Sequence, residues 1–568
     1  MKKTLRPRLL TVFLVAIAMV VACPAAFAQA VPTNTARLPG AGQLLQEIPR
    51  QPSTAARSDL DLRMLHKPHP EAPASRPFLV RRIRITGNTL LATATLHALV
   101  AGSEGEKLTL ADLYGLADRI SDAYRKAGYP LARAYVPAQT LRDGVVRIAV
   151  VEARYGEVEL HNASSVAKST LAATLAPLQP GQPVRNRPLE RSLLLLSDIP
   201  GARTASVIRP GAEAGTSDLI VDVTPAPRYT GTVQLDDFGN RYTGRTRLAA
   251  NLGINDPSHH GDRLNLGGLS SGSGMNYVHG DYDIRLNGQG TTLRMGVSSL
   301  HYRLGGDLLR LGAHGSAVTG SLVLNHPLVR TTVANLYGQL EFDHKLLRDD
   351  IDVARIDNDR QDNVWTATLA GDERDSRGVT NYSLGVSHGK IAYGDALAAF
   401  VDRITADTQG SYTSVRLSAA RLQTLDSRNA LYLGIAWQRA NKNLDTSEQF
   451  FLGGPNSARG YASGVLAGSQ GSMLTAEFRH DFSLPGTPGN LQAIVFVDSG
   501  RVQMYKRAFQ AGPNHARASD AGLGLHWAGP GNWVVRASAA KPIGSVPDML
   551  APKDSSTQVW VSVLKGFD

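Results

Sequence analysis

The chain carries two successive patterns of hydrophobic and polar residues. Between residues 78 and 227, strand-like alternation and helix-like spacing follow one another in the order strand, helix, helix, strand, strand, and this order occurs twice. Each occurrence covers about 73 residues, and self-similarity at a fixed period indicates internal repeats. The pattern predicts two α+β domains in series, over residues 78–152 and 153–227.

The first repeat shows how its boundaries are predicted. Its longer helix begins at Thr109, has apolar residues at helical spacing, and ends at Gly128-Tyr129-Pro130. Leu131–Val136 in this repeat and Arg203–Arg209 in the second are candidate edge strands. A free sheet edge accepts an extended peptide through backbone hydrogen bonds. The sequence leaves open which edge is free, and both strands can equally be structural.

The pattern changes at Arg228, where short alternating segments separated by Gly, Asn, Asp and Ser begin. In residues 278–286 the even positions are apolar or small, and the odd positions are charged or histidine. Such a charged face fits the water-filled lumen of a barrel whose other face meets lipid. The 340 residues after position 228 (568 − 228) hold about 16 antiparallel strands at roughly 20 residues each. The predicted fold is a transmembrane β-barrel over residues 228–568, preceded by the two α+β domains.

The first 28 residues have the pattern of a secretory signal peptide. Four basic residues precede an apolar run from Leu9 to Ala22, and Ala26-Phe27-Ala28 supplies a cleavage site after Ala28. A lipoprotein site at Cys23 is the alternative. Cleavage removes four positive charges and the only cysteine, so the mature chain has a net charge of +7 (11 − 4). Such a chain has neither disulfides nor thiolate metal sites.

Residues 29–50 contain a short helical patch, and residues 51–77 form a Pro-rich linker. The apolar side of the patch consists of three residues, Leu44, Leu45 and Ile48. Its polar side, which is suited to a wet lumen, consists of Gln43, Gln46 and Glu47. In the linker, His66 and His69 have HxxH spacing but no third ligand nearby, so we interpret them as solvated rather than metal-binding.

Composition and motifs exclude several classes of function. A mean hydropathy of −0.16 is too polar for a bundle of transmembrane helices. Residues 268–272 fit the GxSxG pattern, but they lie in a turn with no helix following, and the chain contains no HExxH or P-loop motif. We therefore predict neither an enzyme nor a cofactor. The moderate positive charge suits anionic lipid or polysaccharide and is not the footprint of a nucleic-acid-binding protein.

Five short motifs, in this order along the chain, carry a family resemblance. They are Leu193–Gly201, Gly215–Leu219, Gln234–Gly244, Leu452–Tyr461 and Phe496–Gly500. Together they resemble the two-partner secretion transporters, similar to the filamentous-haemagglutinin and haemolysin exporters. The resemblance covers essentially the whole mature chain. It implies an N-terminal plug helix, a linker, two periplasmic POTRA domains, and a barrel of about 16 strands in the outer membrane of a Gram-negative bacterium.

The resemblance also implies a function. Such a transporter recognises an unfolded exoprotein through its POTRA domains and exports it through the barrel without ATP. The cargo would be a large adhesin, haemolysin or contact-dependent toxin with an N-terminal secretion domain. The other implied partners are outer-membrane lipid, lipopolysaccharide and the barrel-assembly machinery. The alternatives are an outer-membrane protein-assembly insertase, which usually carries more POTRA domains, and a passive solute porin, which lacks them.

The motif around Arg459 provides the candidate site. Gly453–Pro455 predicts a tight hairpin, and Gly460 a bend beside Arg459. By resemblance, Arg459, Gly460 and Tyr461 lie at the tip of a loop that enters the lumen, where Arg459 pairs with Asp498. A guanidinium suits this role because its planar fork of donors matches a carboxylate. The alternative is an exposed arginine in an ordinary surface loop.

The partner of the loop tip is predicted on the barrel wall. Phe496, Asp498 and Gly500 share one strand face, while Val495 and Val497 face the other way, toward lipid. By resemblance, the face with Asp498 is the inner wall.

The chain departs from the family pattern at two places. Asp568 follows the terminal aromatic residue, and the turn at residues 256–262 carries His259 and His260, whose contacts the sequence leaves open.

Overall fold

A computed structural model describes residues 38–48, 60–64, 75–483, 486, 488–551 and 554–568. The predicted signal peptide and the linker residues His66 and His69 lie outside this part of the chain. The described chain begins with a short helix, α1 (Ala41–Glu47), and a short linker strand, β1 (Leu62–Met64). Two α+β repeats and a large barrel follow. No helix among the described residues is long and apolar enough to cross a membrane.

The first repeat is built around its long helix. Its elements are β2 (Phe78–Leu79), β3 (Arg82–Thr86), α2 (Thr93–Ala98), a 3-10 turn (Ala101–Ser103), β4 (Lys107–Leu108), α3 (Leu110–Lys126), β5 (Arg133–Tyr135) and β6 (Val145–Val151). Helix α3 begins as predicted because Thr109 and Asp112 form a reciprocal capping box. The sheet has the order β3–β6–β5, and the apolar face of α3, with Leu113, Leu116 and Ile120, packs in the core.

The second repeat has the same order of elements and gains one strand from the linker. Its elements are β7 (Arg154–Asn162), α4 (Lys168–Leu175), α5 (Asn186–Ser197), β8 (Ala202–Pro210) and β9 (Thr216–Pro225). The sheet order is β1–β8–β9–β7, with β1 parallel to β8. The candidate edge at Arg203–Arg209 is therefore covered, and the backbone N–H of Ser206 donates to the carbonyl of Asp61 at 2.9 Å.

Sixteen antiparallel strands then form a closed barrel, as the alternation predicted. They are β10 (Tyr229–Asp236), β11 (Arg247–Asn255), β12 (Arg263–Ser270), β13 (Met275–Arg285), β14 (Thr292–Arg303), β15 (Ala313–Arg330), β16 (Ala334–Ile351), β17 (Ile356–Asp375), β18 (Gly378–Tyr393), β19 (Gly410–Thr424), β20 (Asn429–Ala440), β23 (Gln470–Phe482), β24 (Asn490–Gln503), β25 (His515–Gly529), β26 (Trp533–Pro542) and β27 (Gln558–Phe567). The strands β21 (Phe450–Leu452) and β22 (Leu466–Gly468) lie in the loop between β20 and β23 and form a separate two-stranded sheet. Pairing of β10 with β27, with Gly231 opposite Phe567, closes the barrel.

The strand alternation separates an apolar outer face from a polar inner face. On β24, Val495 and Val497 are 53% and 47% exposed, whereas Phe496 and Asp498 are buried. The outward apolar side chains suit contact with lipid, and the inward polar ones suit the lumen.

The connections alternate between the two ends of the barrel. Those at the end away from the repeats include 3-10 turns at Gly306–Leu311 and Asp352–Ala354 and a helix, α6 (Ala396–Ile404). The longest connection joins β20 to β23, over residues 441–469, and contains the 3-10 turn Thr446–Glu448. This connection also lies at the end away from the repeats. Strand β10 begins at the second repeat and runs away from it, and β20 runs in the same direction as β10, so β20 ends at the far end. A further 3-10 turn, Pro530–Asn532, lies at the end near the repeats.

The turn with the two histidines contacts the second repeat. The backbone N–H of Ala167 donates to the carbonyl of His259 at 2.7 Å. The Ser165 hydroxyl donates to Asp256 Oδ2 at 2.5 Å. This turn therefore belongs to the junction between the repeats and the barrel.

Candidate functional site

The connection between β20 and β23 turns into the barrel and ends in a wide tip. Strands β21 and β22 pair with Leu452 opposite Leu466. Gly453 (φ 100°) and Gly454 (φ 103°) adopt a backbone conformation that residues with a Cβ rarely take. The predicted tight hairpin at Gly453–Pro455 is wrong, because strand pairing ends at Leu452 and Leu466 and all residues between them, 453–465, form the tip. The Gly454 N–H closes the tip by donating to the Tyr461 carbonyl at 3.0 Å.

Arg459, at this tip, binds two carboxylates of the inner wall. Its Nε and Nη2 donate to Asp498 Oδ2 and Oδ1 at 2.6 and 3.0 Å. Its Nη1 donates to Glu477 Oε1 at 2.8 Å. The Arg459 side chain is 11% exposed and the Asp498 side chain is not exposed at all. We call Arg459, Glu477 and Asp498 the tip anchor.

Neighbouring side chains hold the tip anchor in place. The Arg459 guanidinium carbon lies 3.3 Å from the centre of the Phe496 ring, as in a cation–π contact. The Thr475 hydroxyl donates to Asp498 Oδ1 at 2.8 Å. Arg479 donates to Glu477 Oε2 through Nε and Nη2 at 2.8 and 2.6 Å. Sequence reasoning missed Glu477, although the alternation of β23 places Thr475, Glu477 and Arg479 on one face.

The other predicted residues allow the tip to lie close against the wall. The chain turns at Arg459 and Gly460, as predicted, and the Tyr461 N–H donates to the Ala458 carbonyl at 3.1 Å. A Cβ on Gly460 would lie 2.6 Å from the Asp520 Cβ, so this glycine is needed for close approach to the wall rather than for a positive φ. Tyr461 is fully buried, and its hydroxyl donates to the Ser519 carbonyl at 3.3 Å. A Cβ on Gly500 would lie 2.6 Å from Leu452 Cδ2.

The base of the same loop is held by other strands of the barrel wall, β16, β17 and β19. Glu448 pairs with Lys345 of β16, and its Oε2 lies 3.0 Å from Arg416 Nη2 of β19. Asp445 Oδ2 lies 3.1 Å from Arg360 Nη1 of β17. We call these five residues the base anchor. Sequence reasoning missed them because their partners are far apart along the chain.

Helix α1 lies in the lumen between the wall and the loop. Leu44 and Ile48 are buried, and Leu45 is partly buried, in a cluster with Leu300, Tyr302 and Leu347 of the wall. The backbone N–H of Ala41 donates to Asp349 Oδ1 of β16 at 2.7 Å.

The polar side of α1 faces the loop. Gln43 Nε2 donates to the carbonyl of Gly464 at 3.1 Å and to Glu47 Oε1 at 2.8 Å, and Gln46 donates to the carbonyl of Ser447. The expectation that these side chains line a wet lumen is corrected for Gln43, which is buried against the loop, whereas Gln46 and Glu47 are half-buried. Helix α1 thus contacts the loop beside its base and beside its tip.

Side chains cap both edges of the first repeat's sheet. At β5 the backbone N–H of Ala134 donates to Ser121 Oγ at 2.9 Å. At β3 the backbone N–H of Ile83 donates to Glu104 Oε1 at 2.7 Å, and this hydrogen bond lowers the pKa of Glu104. In the second repeat, by contrast, a strand covers the β8 edge. Of the three sheet edges at β3, β5 and β8, only the β8 edge is paired with an extended segment, strand β1.

Comparisons with known proteins agree with this architecture. A family model described as haemolysin secretion/activation protein ShlB/FhaC/HecB matches residues 215–526, and one described as POTRA domain, ShlB-type, matches residues 78–153. The heme/hemopexin transporter protein HuxB of Haemophilus influenzae is 28% identical over 488 residues, which cover 84% of this chain and 85% of HuxB.

Two further comparisons concern outer membrane transporters named CdiB. CdiB of Escherichia coli is 26% identical over 492 residues, which cover 81% of this chain and 78% of CdiB. The solved structure of CdiB from Escherichia coli matches with a TM-score of 0.69 at 22% identity, covering 88% of this chain and 93% of that one. The structural match supports the fold.

Proposed function

The chain belongs to the ShlB/FhaC/HecB family of haemolysin secretion/activation proteins, and from this premise we propose how its loop, helix α1 and repeats move a polypeptide. It is an outer-membrane transporter of the two-partner secretion type, with POTRA domains in the periplasm and an exoprotein as its partner. The tip anchor is the observation that carries the proposal.

In the resting state, the loop and helix α1 together occupy the lumen. The loop stays in place because Arg459 and Asp498 compensate each other's charge at a buried position. Export of an unfolded chain requires space in the lumen, so helix α1 leaves and the loop shifts. Arg459, Gly460, Tyr461, Phe496, Asp498 and Gly500 restore the closed state after each export cycle.

Recognition of the cargo takes place at the β8 edge of the second repeat. Strand β1 is paired there over Leu62–Met64, which supports the idea that this edge accepts an extended peptide in parallel. A short strand that is joined to the sheet along only one side is replaced by a longer one at little cost, because equivalent backbone hydrogen bonds form again. An exoprotein strand takes the place of β1, and this exchange frees the linker and with it helix α1.

The remaining partners follow from the position of the barrel. The cargo is a large adhesin, haemolysin or contact-dependent toxin with an N-terminal secretion domain. Its folding outside the cell removes unfolded chain from the pore, which draws export forward without ATP. Lipid and lipopolysaccharide contact the outer face, the barrel-assembly machinery inserts the strands, and the transporter neither binds nucleic acid nor catalyses a reaction.

Two variants test recognition at β8 in opposite directions. Ser206→Pro removes the N–H that donates to Asp61 and places a ring on that edge, so it should abolish binding of the exoprotein's unfolded N-terminal region. Replacement of residues 62–64 by Gly-Ser-Gly removes the covering strand without changing β8, so it should strengthen binding. Binding is measured by titrating the purified full-length transporter in detergent, at matched barrel content.

The control is Thr216→Pro at the first residue of the neighbouring strand β9, which β8 separates from β1. It should weaken binding less than Ser206→Pro. If the linker replacement and Ser206→Pro change the affinity in the same direction, or if neither changes it, the exoprotein binds elsewhere.

A further inference from the structure

The second repeat and the barrel are joined by a buried ion pair. Asp198 follows helix α5, and Arg330 is the last residue of β15. Arg330 Nε and Nη2 donate to Asp198 Oδ2 and Oδ1, both at 2.8 Å. The Arg330 side chain has no exposed surface, and that of Asp198 is 22% exposed. Because the pair is bidentate, it restricts the relative orientation of the second repeat and the barrel as well as the distance between them.

The barrel holds Arg330 in one orientation. Its Nη1 donates to Asn335 Oδ1 of β16 at 3.0 Å. Asn335 Nδ2 donates in turn to both carboxylate oxygens of Asp372 of β17, at 3.2 and 3.1 Å. Three adjacent barrel strands, β15, β16 and β17, thus position the guanidinium independently of its contact with the second repeat.

Helix α5 adds further polar contacts on the same side. The backbone N–H and the hydroxyl of Thr332 donate to Glu190 Oε1 at 2.7 and 2.6 Å. Arg191 Nη2 donates to the carbonyl of Pro327 at 2.7 Å. These contacts reach the end of β15 and the β15–β16 turn, so together with Asp198 they form one docking surface. The pair of Asp198 with Arg330 also gives a physical role to the motif Leu193–Gly201, which the transport path leaves without one.

We propose that Asp198 and Arg330 are positioning residues that fix the orientation of the second repeat relative to the barrel, so that the β8 edge keeps one position relative to the pore. A buried guanidinium without its carboxylate is strongly unfavourable, so loss of either partner releases the docking surface. The orientation itself does not depend on how cargo is recognised. Only the consequence for export rests on the proposed function.

The test measures distance in the full-length protein reconstituted into lipid nanodiscs. Spin labels are attached to cysteines introduced by Ser169→Cys in α4 and Ser427→Cys in the β19–β20 turn, both exposed positions, with Cys23 replaced if it is retained. The unaltered pair should give one narrow distance peak. Asp198→Asn and Arg330→Gln should each broaden that peak at least about twofold, and Arg330→Lys, which keeps the charge but loses the fork, should fall between.

The matched control is Arg125→Ala, which removes an exposed ion pair with Asp122 (2.5 Å) in the first repeat, outside both the β8 edge and the docking surface. It should leave the distance peak unchanged. An unchanged peak in both Asp198→Asn and Arg330→Gln overturns the proposal, and the heat-dependent gel shift of the barrel shows that each variant is folded.

Export of the exoprotein is scored in parallel. It should fall at least about tenfold in the variants with broad peaks, which corresponds to about 1.4 kcal/mol. Broad peaks with unchanged export would overturn the functional half of the proposal while leaving the positioning role in place. Narrow peaks with unchanged export, together with normal export in Ser206→Pro, would overturn both this proposal and recognition at β8.

Discussion

The tip and the base of the lumen loop are both held by buried ion pairs, but with opposite polarity. At the tip, the loop supplies one cation, Arg459, and the wall supplies the carboxylates of Glu477 and Asp498. At the base, the loop supplies the carboxylates, and three cations of the wall surround Asp445 and Glu448.

We infer that this difference distinguishes a contact that can be released from one that stays in place. All ionic contacts of the tip pass through one side chain, so a shift of Arg459 ends them together. The base distributes its contacts over Lys345, Arg360 and Arg416 on three strands, so loss of one leaves the others. We infer that the loop pivots at its base while its tip docks and undocks.

The largest effect on export is expected from changes at the tip. Arg459→Ala leaves Asp498 uncompensated, at a cost of roughly 3–5 kcal/mol, and should abolish export while the barrel still reaches the outer membrane. Asp498→Ala should have the same effect, and the double variant should be little worse than either single one. Arg459→Lys should restore little, because an ammonium lacks the planar fork. Secreted exoprotein is measured at matched barrel levels.

Glu477→Gln is the control for that experiment, since it retains the bidentate pair between Arg459 and Asp498. It should reduce export less than Arg459→Ala. If the defects of Arg459→Ala and Asp498→Ala simply add in the double variant, the two residues act independently and the docking of the tip has no role in export.

An intermediate effect is expected at the base, where two variants around Glu448 can be compared directly. Arg416 is 35% exposed, and Lys345 remains paired with Glu448 after Arg416→Ala, so export should fall by no more than about twofold. Lys345→Met removes the more deeply buried cation and should reduce export further. Both variants are measured in the same secretion assay. A larger export defect in Arg416→Ala than in Arg459→Ala would contradict the view that the base anchor distributes its contacts over several residues.

The smallest effect on export is expected from removing the plug region. Deletion of residues 29–50 removes the bonds of Gln43 to Gly464 and of Gln46 to Ser447 but leaves both anchors intact. Single-channel conductance in planar bilayers should rise, because α1 no longer fills the lumen, while export persists. Unchanged conductance would show that α1 does not obstruct the pore.

Much of the fold could be predicted from local patterns. The alternation after Arg228 predicts a barrel of about 16 strands, and the capping sequence at Thr109 predicts the start of α3. The alternation around Asp498 also predicts which side chains face inward. These features depend on residues within a few positions of each other, so a single sequence contains them.

The contacts between distant segments needed the tertiary structure. Three contacts join residues that are 103 to 144 positions apart in the sequence. They are the pairing of β1 with β8, the ion pair of Arg330 with Asp198, and the ion pair of Glu448 with Lys345. Nothing in the local pattern selects one partner among many similar charges or strand edges.

The sequence by itself determined the two repeats, the barrel, the two faces of the strands around residues 278–286 and Asp498 and, through a family motif, the residues of the tip. Only the tertiary structure decided that Glu477 also binds Arg459, which edge the linker covers, and how the second repeat meets the barrel. The physical reason is that secondary structure follows from the spacing of neighbouring side chains, whereas buried ion pairs and strand partners depend on the register of a closed barrel. That register brings distant residues together only after every strand is in place.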